Sequence, residues 1–219
     1  MLFYLSKSIR RAIIVILLFG LMLVAAYIYF IVNYPLVHKN TIMKYSEKYG
    51  LDPYLIAAII NVESRYDKNA ISRKEARGLM QISPVTGYWA AKELGIDDFS
   101  LDMLFDPEVN IMIGTWYLNV LSQEFGGNLQ LMLAAYNAGS GNVYKWLNDK
   151  RYSKDGKSLS KIPFQETREY VDKVYKNITV YQVLYKDKIH STSDRDDNYF
   201  VLLFTNNLRR VIRNFAIYK

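Results

Sequence analysis

The chain has 219 residues, 51% hydrophobic and 22% charged, with a formal net charge of +7 at pH 7. This balance is typical of a folded protein and argues against a disordered one. The absence of cysteine excludes disulfides, thiolate metal sites and cysteine nucleophiles. Only two histidines occur, His38 and His190, and both lie near the edges of the expected domain. A Ser-His-Asp triad or a multi-histidine metal site is therefore hard to build.

Near the amino terminus, residues 12–32 carry no charged side chain. At ~1.5 Å per residue this segment is long enough to cross a hydrocarbon core of about 30 Å. Basic residues lie within 1–11, so the positive-inside rule predicts a cytoplasmic amino terminus and an exported remainder, on the periplasmic or cell-wall side. A cleaved signal peptide is the alternative. Its apolar run is normally shorter and ends in small residues, whereas Ala25-Ala26 is followed by bulky apolar residues.

The exported part shows one helix signal after another, and no alternating run is long enough to demand a large sheet. The sequence predicts an all-α, single-domain fold, with irregular stretches at 67–84 and 150–163. The predicted helices are 41–49 closed by Gly50, Asp52-Pro53 to about Glu63, Asp106-Pro107 to Gly126-Gly127, one capped by Asn128, and 165–185.

The last part of the chain, 186–219, is predicted to be a linker followed by a basic tail. Apolar residues alternate there with arginines, so a helix would be amphipathic and able to lie on an anionic membrane surface. The alternative is an element packed on the domain, such as a hairpin turning at Asn206-Asn207, since the run 200–204 also suits a strand.

The first candidate catalytic group is the carboxyl of Glu63, at the end of an apolar helix. Ile56, Ile59 and Ile60 lie on its helix face, because they precede it by helical spacing. Burial on that face disfavours the anion and raises the pKa, which a general acid near neutral pH requires. The alternative is an exposed acid at a helix end.

Three further clusters of polar and aromatic residues support a catalytic role for Glu63. Gly78 to Gln81 combines a flexible backbone with an amide, 135–139 brings an aromatic ring and an amide to a helix end, and 166–170 adds a phenol. Aromatic rings and amides together suit sugars, which have apolar faces and hydroxyl edges. Each cluster also has a purely structural interpretation, such as Tyr136 in the core or Gly139 as a cap.

Taken in order, these residues resemble the soluble lytic transglycosylase (SLT) domain family, whose fold is similar to that of goose lysozyme. The resemblance covers about residues 41–185. Its blocks are Glu63-Ser64 with Ser72; Ala76 with Gly78-Leu79-Met80-Gln81; Asn110-Ile111 with Gly114 and Tyr117-Leu118; 134–139; and 166–171. Two positions depart from the family pattern: Glu75 replaces a usual Gly, and Ser83 a frequent Met. They bear on substrate preference more than on catalysis.

The resemblance implies roles for individual residues. Glu63 matches the catalytic acid/base, and Ser72 matches a hydroxyl near it. The predicted groove residues are Met80, Gln81, Tyr136, Asn137 and Tyr170, with Ser64, Gly78 and Glu166 in supporting positions. The family needs no metal and no organic cofactor.

The resemblance also implies a reaction, cleavage of the β-1,4 bond between N-acetylmuramic acid and N-acetylglucosamine in peptidoglycan. Glu63 would protonate the bridging oxygen and then accept the proton of the muramyl 6-hydroxyl, which attacks C1 and leaves a 1,6-anhydro end. The closest alternative is a hydrolytic muramidase of the same fold, with Asp67, Asp97 or Asp98 as a second carboxylate. An alternative of another class is a non-catalytic wall-binding scaffold.

The expected partners are peptidoglycan glycan strands and the membrane, through the amino-terminal helix, with the basic tail as a second candidate contact. A nucleic-acid partner is not expected, since the chain shows no recognised nucleic-acid-binding motif and the anchor would export the domain. The positive charge suits anionic wall polymers or lipid headgroups instead.

Overall fold

The computed structural model describes residues 6–186, 189, 205 and 206. By its internal contacts the chain divides into two units, one formed by Met1–Pro35 with Asn198–Lys219 and the other by Leu36–Asp197. Apart from those few positions, the predicted linker and basic tail lie outside the described residues.

The first unit contains helix α1, Lys7–Asn33. Its first turn is capped by Ser6, whose hydroxyl oxygen accepts a hydrogen bond from the amide of Ile9 at 3.3 Å. None of its residues is buried within the protein, and the helix is long and apolar enough to cross a membrane. The predicted membrane segment 12–32 falls within it.

The second unit is built from helices, and the predicted all-α class is confirmed. Its helices are α2 (Lys39–Tyr49), α3 (Pro53–Ser64), α4 (Pro84–Leu94), a 3₁₀ helix (Leu101–Phe105), α5 (Pro107–Glu124), α6 (Leu129–Ala138), α7 (Ser140–Leu147) and α8 (Gln165–Tyr185). The predicted helices correspond to α2, α3, α5, α6 and α8. Helices α4 and α7 were not predicted.

Several of these helices begin with the same local device, a short polar side chain followed by proline. Asp52 caps α3 by accepting from the amide of Tyr54 at 2.8 Å, and Asp106 caps α5 through the amide of Val109 at 3.0 Å. Proline at the first helical position loses no hydrogen bond there. The start of α4 is alike, with Ser83 as the cap and Pro84 first.

Helix α3 lies at the centre of the domain. Every residue from Leu55 to Asn61 is buried, and the helix packs against both α2 and α8. A helix that is buried on nearly every face is held firmly in place by its neighbours. The residues of its last turn, Glu63 among them, are therefore presented from a rigid support.

The loop between α3 and α4 is fastened to α5 by Asn110, which is fully buried. Its amide oxygen accepts from the backbone N–H of Met80 at 2.8 Å. Its amide nitrogen donates to the carbonyl of Arg77 at 2.9 Å and to that of Leu104 at 2.8 Å. One side chain thus satisfies three backbone groups that have little access to water.

We expect Asn110→Ala to destabilise the domain by about 2–4 kcal/mol, since buried backbone groups lose their partners. The measurement is the midpoint of urea unfolding. The matched control is Asn69→Ala, because the Asn69 residue is exposed and its variant should unfold like the parent. Equal midpoints for parent and Asn110→Ala would contradict this role for Asn110.

Candidate active site

Glu63 lies in the last turn of α3, on the face that also carries Ile56, Ile59 and Ile60. These three isoleucines are fully buried, whereas Glu63 keeps partial access to solvent. Burial raises the pKa of the Glu63 carboxyl to about 7, because the anion loses hydration. Near neutral pH the group is therefore divided between its protonated and ionised forms, so it can both give and take a proton.

Two phenols flank this carboxyl. The Tyr170 hydroxyl is close enough to lower the Glu63 pKa, which opposes the larger effect of burial. Within the described chain the buried Tyr170 hydroxyl makes no hydrogen bond of ordinary geometry, either to Glu63 or to another group. The pKa values of Tyr170 and Tyr136 are raised well above the usual range, first by burial and then by the charge of Glu63. Both phenols therefore keep their protons.

Tyr136 connects the carboxyl to the loop before α4. Its hydroxyl donates to the backbone carbonyl of Met80 at 2.8 Å. The Met80 side chain, predicted to line the groove, is fully buried, and it packs so closely on Gly114 that a Cβ there would lie 2.8 Å from the Met80 Cε. Met80 thus meets the site through its backbone, and a groove-lining role for its side chain stays a prediction.

Beside Tyr136 the domain surface opens into a cleft of about 270 Å³. The cleft joins the loop before α4 to residues of α4, α5 and α6. Its lining residues are Gln81, Ile82, Ser83, Thr86, Tyr117, Tyr136, Asn137, Ala138 and Gly139. Glu63 is not among them, but its charge helps to raise the pKa of Tyr136, so the acid lies near a residue that lines the cleft.

Three of the predicted groove residues, Gln81, Tyr136 and Asn137, come together in this cleft. Gln81 has a positive φ of 50°, and its amide nitrogen donates to the carbonyls of Gly78 at 2.9 Å and Ala70 at 3.2 Å. The amide oxygen of Asn137 accepts from the hydroxyl of Thr167 at 2.8 Å. Both amides are therefore oriented by the protein before any ligand arrives.

The other predicted site residues do not line the cleft. The Ser72 hydroxyl oxygen accepts from the amides of Ala76 at 3.1 Å and Lys74 at 3.2 Å, so it shapes its own loop. The Ser64 hydroxyl donates to the carbonyl of Ile60 within α3 at 3.2 Å. Glu166 is exposed in the first turn of α8. Their predicted parts in the site stay predictions.

Gly78, predicted as a support, occupies a position where a side chain does not fit. Its φ is +76°, and an added Cβ would collide with the side chain of Asn110 and the carbonyl oxygen of Leu104. Glycine tolerates both constraints. Gly78 therefore lets the loop before α4 approach α5 closely enough for the Asn110 hydrogen bonds.

Sequence reasoning missed several residues that shape the site. Thr167 and Asn110 position the groups described above, and Tyr117 and Thr86 line the cleft. Tyr117, Asn110 and Thr167 lie within the sequence blocks that carry the family resemblance, and those blocks could have identified them as site residues. Thr86 could have been found from the helix start at Ser83-Pro84. In the described ranges no group of three or more His, Asp or Glu residues could hold a metal ion.

Comparison with known proteins places this arrangement in a family. The model of the Transglycosylase SLT domain family matches residues 40–159. The soluble lytic murein transglycosylase of Escherichia coli strain K12 is 37% identical over 156 residues, 70% of this chain and 24% of that protein. The membrane-bound lytic murein transglycosylase C of Edwardsiella ictaluri strain 93-146 is 37% identical over 122 residues, 49% of this chain and 33% of its own length.

Solved structures agree with the sequence comparison. The crystal structure of the 70 kDa soluble lytic transglycosylase of Escherichia coli superposes with a TM-score of 0.63 at 34% identity, covering 74% of this chain and 27% of that one. An inactive Glu-to-Gln mutant of lytic transglycosylase Slt from Pseudomonas aeruginosa gives a TM-score of 0.62 at 34% identity, covering the same 74% of this chain and 27% of its own.

The similarity therefore concerns one domain of larger proteins, since this chain spans about a quarter of the length of the curated soluble relatives. Within this chain the family model covers more than half of the residues. The resemblance predicted from the sequence is confirmed, and the chain belongs to the Transglycosylase SLT domain family.

Proposed function

We propose that this protein is a peptidoglycan lytic transglycosylase, which cleaves the β-1,4 bond between N-acetylmuramic acid and N-acetylglucosamine and leaves 1,6-anhydromuramyl ends. The observation that carries the proposal is the Glu63 carboxyl, whose pKa is about 7 and which lies near Tyr136, a residue that lines the cleft. A carboxylic acid that is still protonated near neutral pH is able to protonate a glycosidic oxygen.

The proposed reaction begins when the Glu63 carboxyl gives its proton to the bridging oxygen. The bond from C1 of the muramyl ring to that oxygen breaks, and the N-acetylglucosamine part leaves with a 4-hydroxyl. The Glu63 carboxylate then accepts the proton of the muramyl 6-hydroxyl, while the oxygen of that hydroxyl bonds to C1. Glu63 ends the cycle protonated, and no water is consumed. Because the nucleophile is tethered to the reacting ring, little entropy is lost in the attack.

The environment of Glu63 supports this single-carboxylate route over two-carboxylate hydrolysis. Its pKa is set by burial and by the Tyr170 hydroxyl, and within the described chain no second carboxylate contributes to the shift. Asp97 and Asp98 are exposed, and an oxygen of Asp67 accepts the amide of Asn69 at 3.0 Å in its own loop. Inverting glycosidases need a second carboxylate across the scissile bond to activate water.

The names of the relatives support the same substrate class, since both curated relatives described above are lytic murein transglycosylases. The Pseudomonas aeruginosa protein is inactive as a Glu-to-Gln mutant, as expected for a family that relies on one carboxylic acid. Peptidoglycan glycan strands are thus the proposed partner of this chain, with no metal or organic cofactor.

For the cellular arrangement we propose a single-pass membrane protein. Residues 1–11 would be cytoplasmic, 12–32 would span the membrane, and the domain of about 41–185 would face the periplasm or the cell wall. The apolar helix α1 supports the anchor, and the basic residues Lys7, Arg10 and Arg11 support the orientation. A membrane-bound relative is consistent with this arrangement.

The Glu63→Gln variant should lose at least about 100-fold in kcat on purified peptidoglycan, because an amide has no acidic proton to give. Mass spectrometry of the soluble products measures both the rate and the end group. Glu47→Gln, at an exposed position of α2, is the matched control and should behave like the parent.

Two results would contradict the proposal in different ways. If Glu63→Gln cleaved as fast as the parent, Glu63 would not be the catalytic acid. If the parent produced reducing muramyl ends and no anhydro ends, the enzyme would be a muramidase and not a transglycosylase.

The pH dependence of kcat/KM should follow the protonation of Glu63 in the free enzyme. Because the acid must be protonated to act and its pKa is about 7, activity should fall as the pH rises through that value, by about tenfold per further unit. The measurement is the initial rate at low substrate concentration between mildly acidic and mildly alkaline pH. A fall centred near 4.5, the ordinary value for glutamate, would contradict a buried acid.

The Tyr170→Phe variant should move that fall in activity to higher pH, because the Tyr170 hydroxyl lowers the Glu63 pKa and phenylalanine cannot. Tyr175→Phe serves as the control, since Tyr175 is on the same helix but 41% exposed. A profile that shifts to lower pH, or does not shift, would show that the Tyr170 hydroxyl does not act on the acid.

A further inference from the structure

Helix α4 packs with an unusual distribution of side-chain size. It buries three small residues, Gly87, Ala90 and Ala91. It exposes large ones: Val85 is 82% exposed, Tyr88 55% and Trp89 42%. A surface helix normally turns its large apolar residues to the core. The fold leaves much of this apolar face of α4 in solvent, and exposed apolar surface of this kind often marks a binding site.

Trp89, on this face, makes two ring contacts with α5. Its ring meets that of Trp116 edge-on, with centroids 4.8 Å apart, and that of Tyr117 in the same manner at 6.2 Å. These contacts fix the orientation of the indole while much of it stays in solvent. A ring that is already fixed loses little conformational entropy when a ligand stacks on it.

The same residue is continuous with the cleft. Tyr117 lines the cleft, and its ring lies 5.5 Å from that of Tyr136. Thr86, about one helical turn before Trp89, also lines the cleft. We name Tyr136, Tyr117 and Trp89 the aromatic row. It starts at Tyr136, near Glu63, and continues through Tyr117 to Trp89 on α4.

We propose that Trp89, at the outer end of the aromatic row, is a further saccharide subsite that stacks one pyranose ring of the glycan strand outside the cleft. This rests on the proposed function, because the strand must already occupy the cleft. A sugar ring offers an apolar C–H face that suits the exposed indole. A β-1,4-linked strand is the natural occupant, since it extends linearly beyond the sugars bound in the cleft. The subsite would make the enzyme favour long strands over short ones.

The test compares turnover of peptide-free glycan strands of two lengths, about four and about eight sugars. For Trp89→Ala we expect kcat/KM on the longer strand to fall about tenfold, and on the shorter strand less than about twofold. Trp89→Phe should restore part of the loss, because it keeps an aromatic face. Tyr175→Ala, which removes an equally exposed aromatic residue from α8, should change neither rate.

Equal losses on both strands would indicate that Trp89 only supports the fold, and no loss on either would show that it binds no sugar; both results overturn the subsite. A loss seen only when stem peptides are attached would assign the surface to the peptide and also overturn it. If the parent cleaves neither strand, the proposed function fails. Calorimetric binding of the longer strand to Glu63→Gln, with and without Trp89→Ala, then decides the subsite alone: weaker binding without the indole supports it, and equal binding refutes it.

Discussion

The proposed chemistry depends on the burial of one carboxyl group at the end of helix α3. Helix α3 is apolar on nearly every side and is enclosed by α2 and α8. Glu63 ends the same face, with two phenols beside it and no basic side chain contributing to its pKa in the described chain. Keeping the anion there costs free energy, and the group lowers that cost by retaining its proton up to about pH 7. The same burial that reduces the stability of the ionised form gives the group the properties of a general acid.

The remaining site residues act largely by fixing the surroundings of that acid. Asn110 ties the loop before α4 to α5 through the Met80 amide, and Tyr136 ties it to α6 through the Met80 carbonyl. The Asn137–Thr167 hydrogen bond joins the end of α6 to the start of α8, the helix that also carries Tyr170. These hydrogen bonds fix the positions of several helices around the cleft and Glu63. Preorganisation of this kind lets binding energy be used for the reaction and not for ordering the site.

Much of the fold could be predicted from local signals, because caps and helical spacing act over a few residues. The Asp-Pro starts of α3 and α5 and the Gly50 end of α2 follow from such signals. Helix α4 carried the same start, Ser83-Pro84, but it buries small residues and exposes large ones, so its sequence lacks the usual amphipathic pattern. The spacing of Glu63 from the isoleucines pointed to a buried acid. The proximity of Tyr170 and the full burial of Met80 depend on contacts between distant segments, which a single sequence does not reveal.

The most direct test of the account is a carbon-13 NMR titration of the Glu63 side-chain carboxyl. It would use the full chain in detergent micelles, with Glu63→Gln to assign the resonance. We expect a midpoint of about 7, because burial among the α3 isoleucines penalises the anion. A midpoint near 4.5, the ordinary glutamate value, would show a hydrated carboxylate and would contradict the proposed acid.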